Sequence, residues 1–156
     1  MVQAVFLFHV KPMLEKAHIT AVQNQLKKLG TLHSQSMTYA SLSMNGTPDR
    51  YYDGAVRDLW IEYKRLTSMP RSKVAVGDYS EQQLKWMNRR WANSFTHNIW
   101  GVVGLPDKTV CLQLNPSEWL DGTPISAAIS HKQLAQLIWD FCNGSTHVSK
   151  SKSNKV

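Results

Sequence analysis

The sequence predicts an α/β domain in which a mixed β-sheet carries helices on its faces. Apolar residues recur at helical spacing in 13–29, 80–94 and 131–142. Short apolar or alternating runs that are typical of strands lie between these segments. The predicted order is helix, strand, hairpin strands, helix, strand, strand, helix, which favours helices packed on a central sheet. A length of 156 residues fits a single domain, which we assign to 1–144.

The first helix is predicted over 13–29, with Pro12 in its first turn and Gly30 directly after its end. Residues 2–10 are apolar, and their pattern fits either a strand or the start of a helix. A strand is expected within 31–39, followed by a loop over 40–47. The apolar face of the helix comprises Leu14, Ala17, Ala21, Val22, Leu26 and Leu29.

A hairpin turn is predicted at Asp53-Gly54, followed by a strand over 59–64. Residues 66–79 have little periodicity and several cations, which predicts a loop. Ser80 caps a helix whose apolar stripe is Leu84, Met87, Trp91 and Phe95.

The last third of the chain begins with a buried strand over 98–105, a turn at Pro106-Asp107 and a strand over 108–114. Residues 115–129 contain Pro and Gly and are predicted to be mostly irregular. Ser130 caps a final helix over 131–142. The Ser- and Lys-rich segment 145–156 is expected to be a disordered basic tail.

Composition gives a hint about partners. The formal net charge is +7 and the pI is near 9.5, which favours a polyanion such as nucleic acid, although an ordinary basic surface has the same composition. No apolar run approaches the 18 or more residues of a membrane span, and we expect a cytoplasmic protein. Cys111 and Cys142 have no partner at metal-site spacing and are expected to be buried free thiols.

Residues 46–64 contain the candidate catalytic residues. Glu62 and Lys64 are two apart on a predicted strand and therefore share a face, and the hairpin turn could fold Asp49 back beside them. Two carboxylates and a lysine suit a divalent metal site for phosphodiester hydrolysis. Asp58 lies four residues before Glu62 on the same strand, about 13 Å away at roughly 3.3 Å per residue, which is too far to share one ion.

These residues resemble the signature of the PD-(D/E)xK nucleases, and in particular the virus-type replication–repair nuclease domains and small phage-encoded endonucleases. The matching elements are Gly46-Thr47-Pro48-Asp49, Trp60-Ile61-Glu62-Tyr63-Lys64, Ser80-Glu81-Gln82-Gln83 and Trp86. The resemblance covers about residues 46–105 and implies a restriction-endonuclease-like core, a central mixed β-sheet flanked by helices.

The resemblance also implies roles for individual residues. Asp49 and Glu62 would be metal ligands, helped by the Tyr63 carbonyl, and Lys64 would contact the scissile phosphate or the attacking water. Gln83 would lie near Lys64 or the phosphate, although a capping box explains Ser80 and Gln83 equally well. A glutamate on the first helix completes many such sites; Glu15 would be that residue here, and a solvated position on the helix is the other interpretation.

Seven cations are predicted to contact DNA phosphates, which would position a duplex without reading its sequence. Three flank the proposed site, two lie in the predicted loop 66–79, and two lie on the second helix: Arg50, Arg57 and Arg65; Arg71 and Lys73; Arg89 and Arg90.

The sequence therefore predicts a Mg²⁺-dependent DNA endonuclease, either structure-selective or of the homing type, in which Mn²⁺ could replace Mg²⁺. Carboxylate ligands without nearby His or Cys favour these ions over zinc. One such site cuts one strand, so cleavage of duplex or branched DNA at both strands predicts a homodimer. The alternative is a non-catalytic nucleic-acid-binding module on a nuclease-like fold.

Overall fold

A computed structural model describes residues 13–37 and 46–144 of the chain. The predictions for 2–10, for 40–45 and for the tail 145–156 fall outside the described residues. The elements in chain order are α1 (Glu15–Leu29), β1 (His33–Ser36), β2 (Arg50–Asp53), β3 (Asp58–Arg65), β4 (Lys73–Val74), α2 (Glu81–Asn93), β5 (Ile99–Gly104), β6 (Thr109–Gln113), α3 (Pro116–Asp121), β7 (Thr123–Pro124), a 3₁₀ turn (Ile125–Ala127), β8 (Ile129–Ser130) and α4 (His131–Asn143).

The central sheet has six strands in the order β1-β2-β3-β5-β6-β8, and β4 and β7 form a separate two-stranded ribbon. Strands β3 and β5 are parallel, whereas every other neighbouring pair is antiparallel. The parallel pair is connected through α2, because parallel neighbours need a crossover rather than a tight turn. The predicted α/β architecture with a mixed sheet and flanking helices is confirmed.

The two faces of the sheet bury separate cores. Alternate residues of β3 face opposite ways, so that Leu59, Ile61 and Tyr63 pack in the core that includes residues of α1 and α4. The other core includes Met87 of α2 and Trp119 of α3. All six residues of β5 are buried, which explains why its sequence is a continuous apolar run rather than an alternating one.

The β2–β3 hairpin positions the residues of greatest interest. Its register pairs Asp53 with Asp58 and Arg50 with Ile61, and the connection is residues 54–57. The predicted turn at Asp53-Gly54 is therefore confirmed, although the connection is longer than a two-residue turn. Gly54 lies against the backbone of Cys142 in α4, which leaves no room for a side chain there.

The helix ends follow the sequence signals. Ser80 and Gln83 form a complete capping box at α2, and Ser130 and Gln133 form another at α4. Cys111 and Cys142 are free and buried, as predicted. None of the helices in the described part of the chain has the length and apolar character needed to cross a membrane.

Two predicted apolar faces need correction. Phe95 lies beyond the α2 C-cap and is fully exposed, so it does not belong to the stripe; Trp86 instead packs edge-on against Trp60, with ring centroids 4.9 Å apart. On α1, Leu14 and Leu29 at the helix ends are exposed, whereas His18 is buried. Helical spacing alone gives no information on which end of a stripe reaches beyond the sheet.

The prediction that 115–129 is mostly irregular is wrong in part. Asn115 caps α3 by accepting from the Glu118 backbone N–H at 2.9 Å, with Pro116 in the first turn. The cap residue and the proline were both visible in the sequence. The predicted loop 66–79 contains β4, and its Val74, Val76 and Tyr79 are buried.

Two glycines give a test of this packing. A methyl group added at Gly104 would overlap the His18 ring, whereas nothing lies within 4 Å of one added at Gly77. We expect Gly104→Ala to lower the free energy of unfolding by about 1–3 kcal/mol through overpacking. Gly77→Ala should cause no loss, since it restricts only the unfolded chain. Urea unfolding checks both variants, and equal midpoints would contradict the packing described.

Candidate active site

The β2–β3 hairpin brings Asp49 and Glu62 together through their backbones. The Asp49 N–H donates to Glu62 Oε2 at 3.2 Å, and the Tyr63 N–H donates to Asp49 Oδ2 at 2.9 Å. Each carboxylate therefore accepts a hydrogen bond from a backbone N–H on the opposite side of the hairpin. The predicted approach of Asp49 to Glu62 is present in the structure, and two reciprocal hydrogen bonds hold it.

Glu62 and Lys64 lie on the same face of β3, as their spacing predicts. Glu62 is only 2% exposed, and Lys64 Nζ lies 3.5 Å from its Oε1. Gln83 Nε2 donates to the same oxygen at 2.6 Å. The capping box fixes the Gln83 backbone at the start of α2, so this side chain serves as a cap and as a partner of Glu62 at once.

The Tyr63 backbone faces the β2 side of β3, on which Asp49 lies. The backbone N–H groups of Trp60 and Leu66 donate to residues in or next to β5. Because neighbouring residues of a strand alternate in the side to which their backbone groups point, the Tyr63 backbone faces β2. Continuing the β2–β3 register two residues past Arg50 places Pro48 opposite Tyr63. A proline has no N–H to donate to the Tyr63 carbonyl. The β2–β3 ladder ends at Arg50, and beyond it the Tyr63 N–H donates to the Asp49 side chain instead of to a strand carbonyl.

Glu15, in the first turn of α1, belongs to the same group of charges. Burial raises its pKa first, and the charges of Asp49 and Asp78 add to the rise, while Lys64 and Arg65 lower it. The nearness of Glu15 to Asp49 and Lys64 fits the role that the sequence resemblance implies. Glu15 is partly buried, which argues against a purely solvated position.

The carboxyl groups of Asp49 and Glu62 lie close together, and their raised pKa values indicate whether the site suits a bound cation. Burial and then the charge of Asp49 raise the pKa of Glu62 to about 8, despite Lys64, and burial raises the pKa of Asp49 as well. A hard divalent cation would offset this excess of buried negative charge, and oxygen ligands suit Mg²⁺. Within 13–37 and 46–144, no group of three or more His, Cys, Asp or Glu side chains is arranged to hold a metal. The oxygen atoms that face one another here are the carboxylates of Asp49 and Glu62, and the Tyr63 carbonyl stays a predicted third ligand.

Asp49 and Glu15 open into a cleft between α1 and the β1–β2 edge, which we call the α1 cleft. Its volume is about 620 Å³, and Arg50 lies in its wall. The candidate site is thus accessible from solvent through Asp49 and Glu15, although Glu62 is almost completely covered.

Tyr79 and Gln113 support the site and were not among the predicted residues. Lys64 Nζ lies 5.6 Å from the centre of the Tyr79 ring, and the Tyr79 hydroxyl donates to the buried Gln113 Oε1 at 2.9 Å. Gln113 Nε2 donates in turn to the Val74 carbonyl at 3.1 Å. This buried chain anchors residues 74–79 to β6 and holds an aromatic face beside Lys64. No local sequence pattern predicts this chain of hydrogen bonds, because Tyr79 and Gln113 come from distant segments.

The predicted DNA-contacting cations are not all near the carboxylates. Arg50 lies in the α1 cleft, and Arg65 Nη1 is 3.5 Å from the Met13 carbonyl, next to the start of α1. Arg57 lies over the Phe141 ring at 5.0 Å, and Arg90 pairs with Asp58 at 3.3 Å. These two are at the hairpin end of β3, away from Glu62. Arg71, Lys73 and Arg89 are exposed.

No protein-family model matches the sequence, and no curated protein matches it significantly. A similar solved structure is that of Hjc, a Holliday junction resolvase from the archaeal hyperthermophile Archaeoglobus fulgidus, determined at 1.6 Å resolution. The similarity has a TM-score of 0.48 and 17% sequence identity, and it covers 79% of this chain and 98% of the Hjc chain. Function must therefore be inferred from the geometry of the site itself.

The raised pKa of Glu62 predicts how stability depends on pH without metal. Because its pKa rises from 4.5 to about 8 on folding, the folded protein keeps a proton that the unfolded chain has lost in this window. Stability should therefore fall as the pH rises toward 8. The buried His18 and His131 have lowered pKa values and act in the opposite direction, but only below their ordinary value of 6.5.

Melting temperatures between pH 6.5 and 8.5 in EDTA provide the measurement. The wild type should lose stability across this range, whereas Glu62→Gln, which has no proton to lose, should lose much less. Parallel pH profiles for the two proteins would show that Glu62 ionises as an ordinary carboxyl group.

Proposed function

We propose that the protein is a metal-dependent nuclease that hydrolyses phosphodiester bonds in DNA. The observation that carries this proposal is the pair of carboxylates, Asp49 and Glu62, each hydrogen-bonded to a backbone amide beside the other, with Lys64 at 3.5 Å on the same face. A structural salt bridge needs one carboxylate per lysine. A second carboxylate, held where it raises the pKa of the first, indicates a site for a cation.

Mg²⁺ is the proposed ion, with Mn²⁺ as a substitute, and Asp49, Glu62 and the Tyr63 carbonyl would hold it. Such an ion polarises a phosphate oxygen and lowers the pKa of a bound water. Hard oxygen donors from the protein support this choice over zinc.

The remaining side chains would act directly on the substrate or on Glu62. Lys64 would stabilise the charge that develops on the phosphate, since it is held between the Glu62 carboxylate and the Tyr79 ring and can donate in several directions. Gln83, at 2.6 Å, would fix the orientation of Glu62. Glu15 would orient a water or accept its proton at the cleft wall.

The substrate is proposed to be duplex or branched DNA, cut by a structure-selective or homing-type endonuclease. The chain contains one set of these residues and would cut one strand at a time. A symmetric homodimer would therefore be needed to cut both strands. Arg65 and the exposed Arg71, Lys73 and Arg89 would contact phosphates.

A non-catalytic nucleic-acid-binding module is the second candidate. It is favoured by the partners that Glu62 already has within the chain: Gln83, Lys64 and the Asp49 N–H. A carboxylate that is satisfied in this way can be structural. The two candidates differ in whether cleavage depends on the metal and on Glu62.

A cleavage panel of linear, nicked, flapped and four-way DNA tests the proposal in Mg²⁺, Mn²⁺ and EDTA. We expect cutting with either metal and none in EDTA. Lys64→Ala should slow cleavage by roughly 10²–10³-fold through loss of a charge that stabilises the transition state. Glu62→Ala should abolish cleavage.

Lys85→Ala is the matched control, because Lys85 is an exposed lysine on α2 whose ion pair, among the residues described, is with Glu81 in its own helix. Its rate should equal that of the wild type. Cutting by Glu62→Ala at the wild-type rate would remove the mechanism, and binding without any cutting on the whole panel would favour the non-catalytic module.

Metal binding can be measured independently of cleavage. A ligand that binds only the folded state stabilises it by about 2.7 kcal/mol at a concentration of 100 Kd. We expect Mg²⁺ to raise the melting temperature of the wild type but not that of Glu62→Gln or Asp49→Asn. Asp53→Asn, at the exposed far end of β2, should respond like the wild type. An equal rise in all four proteins would contradict a site at Asp49 and Glu62.

A further inference from the structure

A polar groove continues from the candidate active site along α1. The α1 cleft adjoins a second cleft of about 660 Å³ between α1 and β1. The two share Gln23, Lys27 and Arg50 in their walls, so they form one continuous groove, the α1 groove. It begins at Asp49 and Glu15 and ends near the start of β1.

The groove is lined by one face of α1. Lys16, Thr20, Gln23 or Asn24, and Lys27 follow one another at steps of three or four residues, so these residues lie on the same side of the helix. None of the ion pairs among the described residues includes Lys16 or Lys27. Glu15 is the only acidic residue of α1, and it lies at the active-site end.

Arg50 adds a cation to the opposite wall. Its Nη2 donates to Ser34 Oγ at 3.2 Å, and its Nε is buried without a hydrogen-bond partner in the part of the chain that the structure describes. Arg50 lines both clefts, so its guanidinium brings a positive charge to the wall of the groove, where it would favour a bound anion. Two lysines, an arginine and several amides and hydroxyls thus surround one groove.

The lining indicates which part of a nucleic acid would bind. Single-strand-binding proteins stack bases on aromatic side chains, and base readout uses donors and acceptors placed in a duplex groove. Apart from His33 at the far end, the described residues that line the α1 groove have no aromatic ring. Cations, amides and hydroxyls instead suit phosphate and sugar oxygens, whatever the sequence.

We propose that the α1 groove binds the sugar-phosphate backbone of the strand being cut, on one side of the scissile phosphate. This inference rests on the proposed function, because it takes Asp49 and Glu62 as the point of cleavage. Lys16 would contact a phosphate next to the site, and Lys27 one farther away.

The dimensions fit a short length of one strand. Lys16 and Lys27 are eleven residues apart on α1, which is about 16 Å at 1.5 Å per residue. Along the duplex axis a B-form strand advances about 3.4 Å per phosphate, and its path around the axis is longer, so the groove would contact at most about five consecutive nucleotides.

The test measures binding separately from cleavage. The affinity for a labelled DNA that the wild type cuts is measured in EDTA over a range of salt concentrations. Each phosphate contact that is lost should make the slope of log K against log salt shallower by about 0.9. Lys16→Gln and Lys27→Gln should each show this change, and the double variant should show about twice as much.

Lys28→Gln is the matched control. It removes the same charge one residue along the same helix, but Lys28 faces the α4 side, in a cleft with Lys132 and Gln133. Its salt slope should equal that of the wild type. Three equal slopes, or a larger effect at Lys28 than at Lys27, would overturn the groove as a strand site.

Neutral methylphosphonate linkages locate the contacts on the DNA. Replacing successive phosphates on the cut strand should weaken wild-type binding over at most about five positions on one side of the cleavage point, and Lys27→Gln should remove only the distal part of this effect. Effects spread equally over both sides would contradict the proposal.

If the groove variants bind like the wild type while Glu62→Ala still abolishes cleavage, the groove inference fails and the nuclease proposal stands. If the protein binds DNA without cutting it and the groove variants bind that DNA less tightly, the nuclease proposal fails, whereas binding of a DNA backbone in the groove stands.

Discussion

The candidate site depends on the exchange of backbone hydrogen bonds between Asp49 and Glu62. The fold removes the Glu62 carboxylate from solvent and places a second carboxylate beside it, both of which raise the pKa of Glu62. Such an arrangement costs stability, and proteins retain it where function requires a buried charge. The reciprocal bonds through the Asp49 and Tyr63 amides keep the pair in register, since neither carboxylate can move without losing a backbone partner.

The surrounding structure supports this pair from both sides of β3. On one face, Tyr52 and Tyr63 share a buried hydroxyl contact of 3.0 Å within the core that includes α1 and α4, which fixes the strands that present Asp49 and Glu62. On the other face, α2 supplies Gln83 and the segment before it supplies Tyr79. The parallel pairing of β3 with β5 is what requires the crossover that contains both residues.

The two ends of β3 differ in the charged groups that surround them. At the hairpin end, Arg90 and Asn98 bind Asp58, and Arg57 stacks on Phe141, so these cations have partners within the fold. At the other end, the carboxyl groups of Glu15, Asp49 and Glu62 lie close together, and the cations of the α1 groove lead away from them. A substrate with a negative backbone would therefore be held along the groove, while the carboxylates would bind it only through a cation.

The sequence by itself determined the order of the main helices and strands, the caps at Ser80 and Ser130 and the shared face of Glu62 and Lys64, because these depend on local spacing and on the chemistry of single turns. It also indicated that a hairpin could return Asp49 to Glu62. Tertiary structure decided what local patterns do not encode: the burial of His18 and exposure of Phe95, the support of Lys64 by Tyr79 and Gln113, and the partners of Arg57 and Arg90. Those features depend on which distant segments meet across the sheet, and the spacing of residues along one element contains no information about the surface that it packs against.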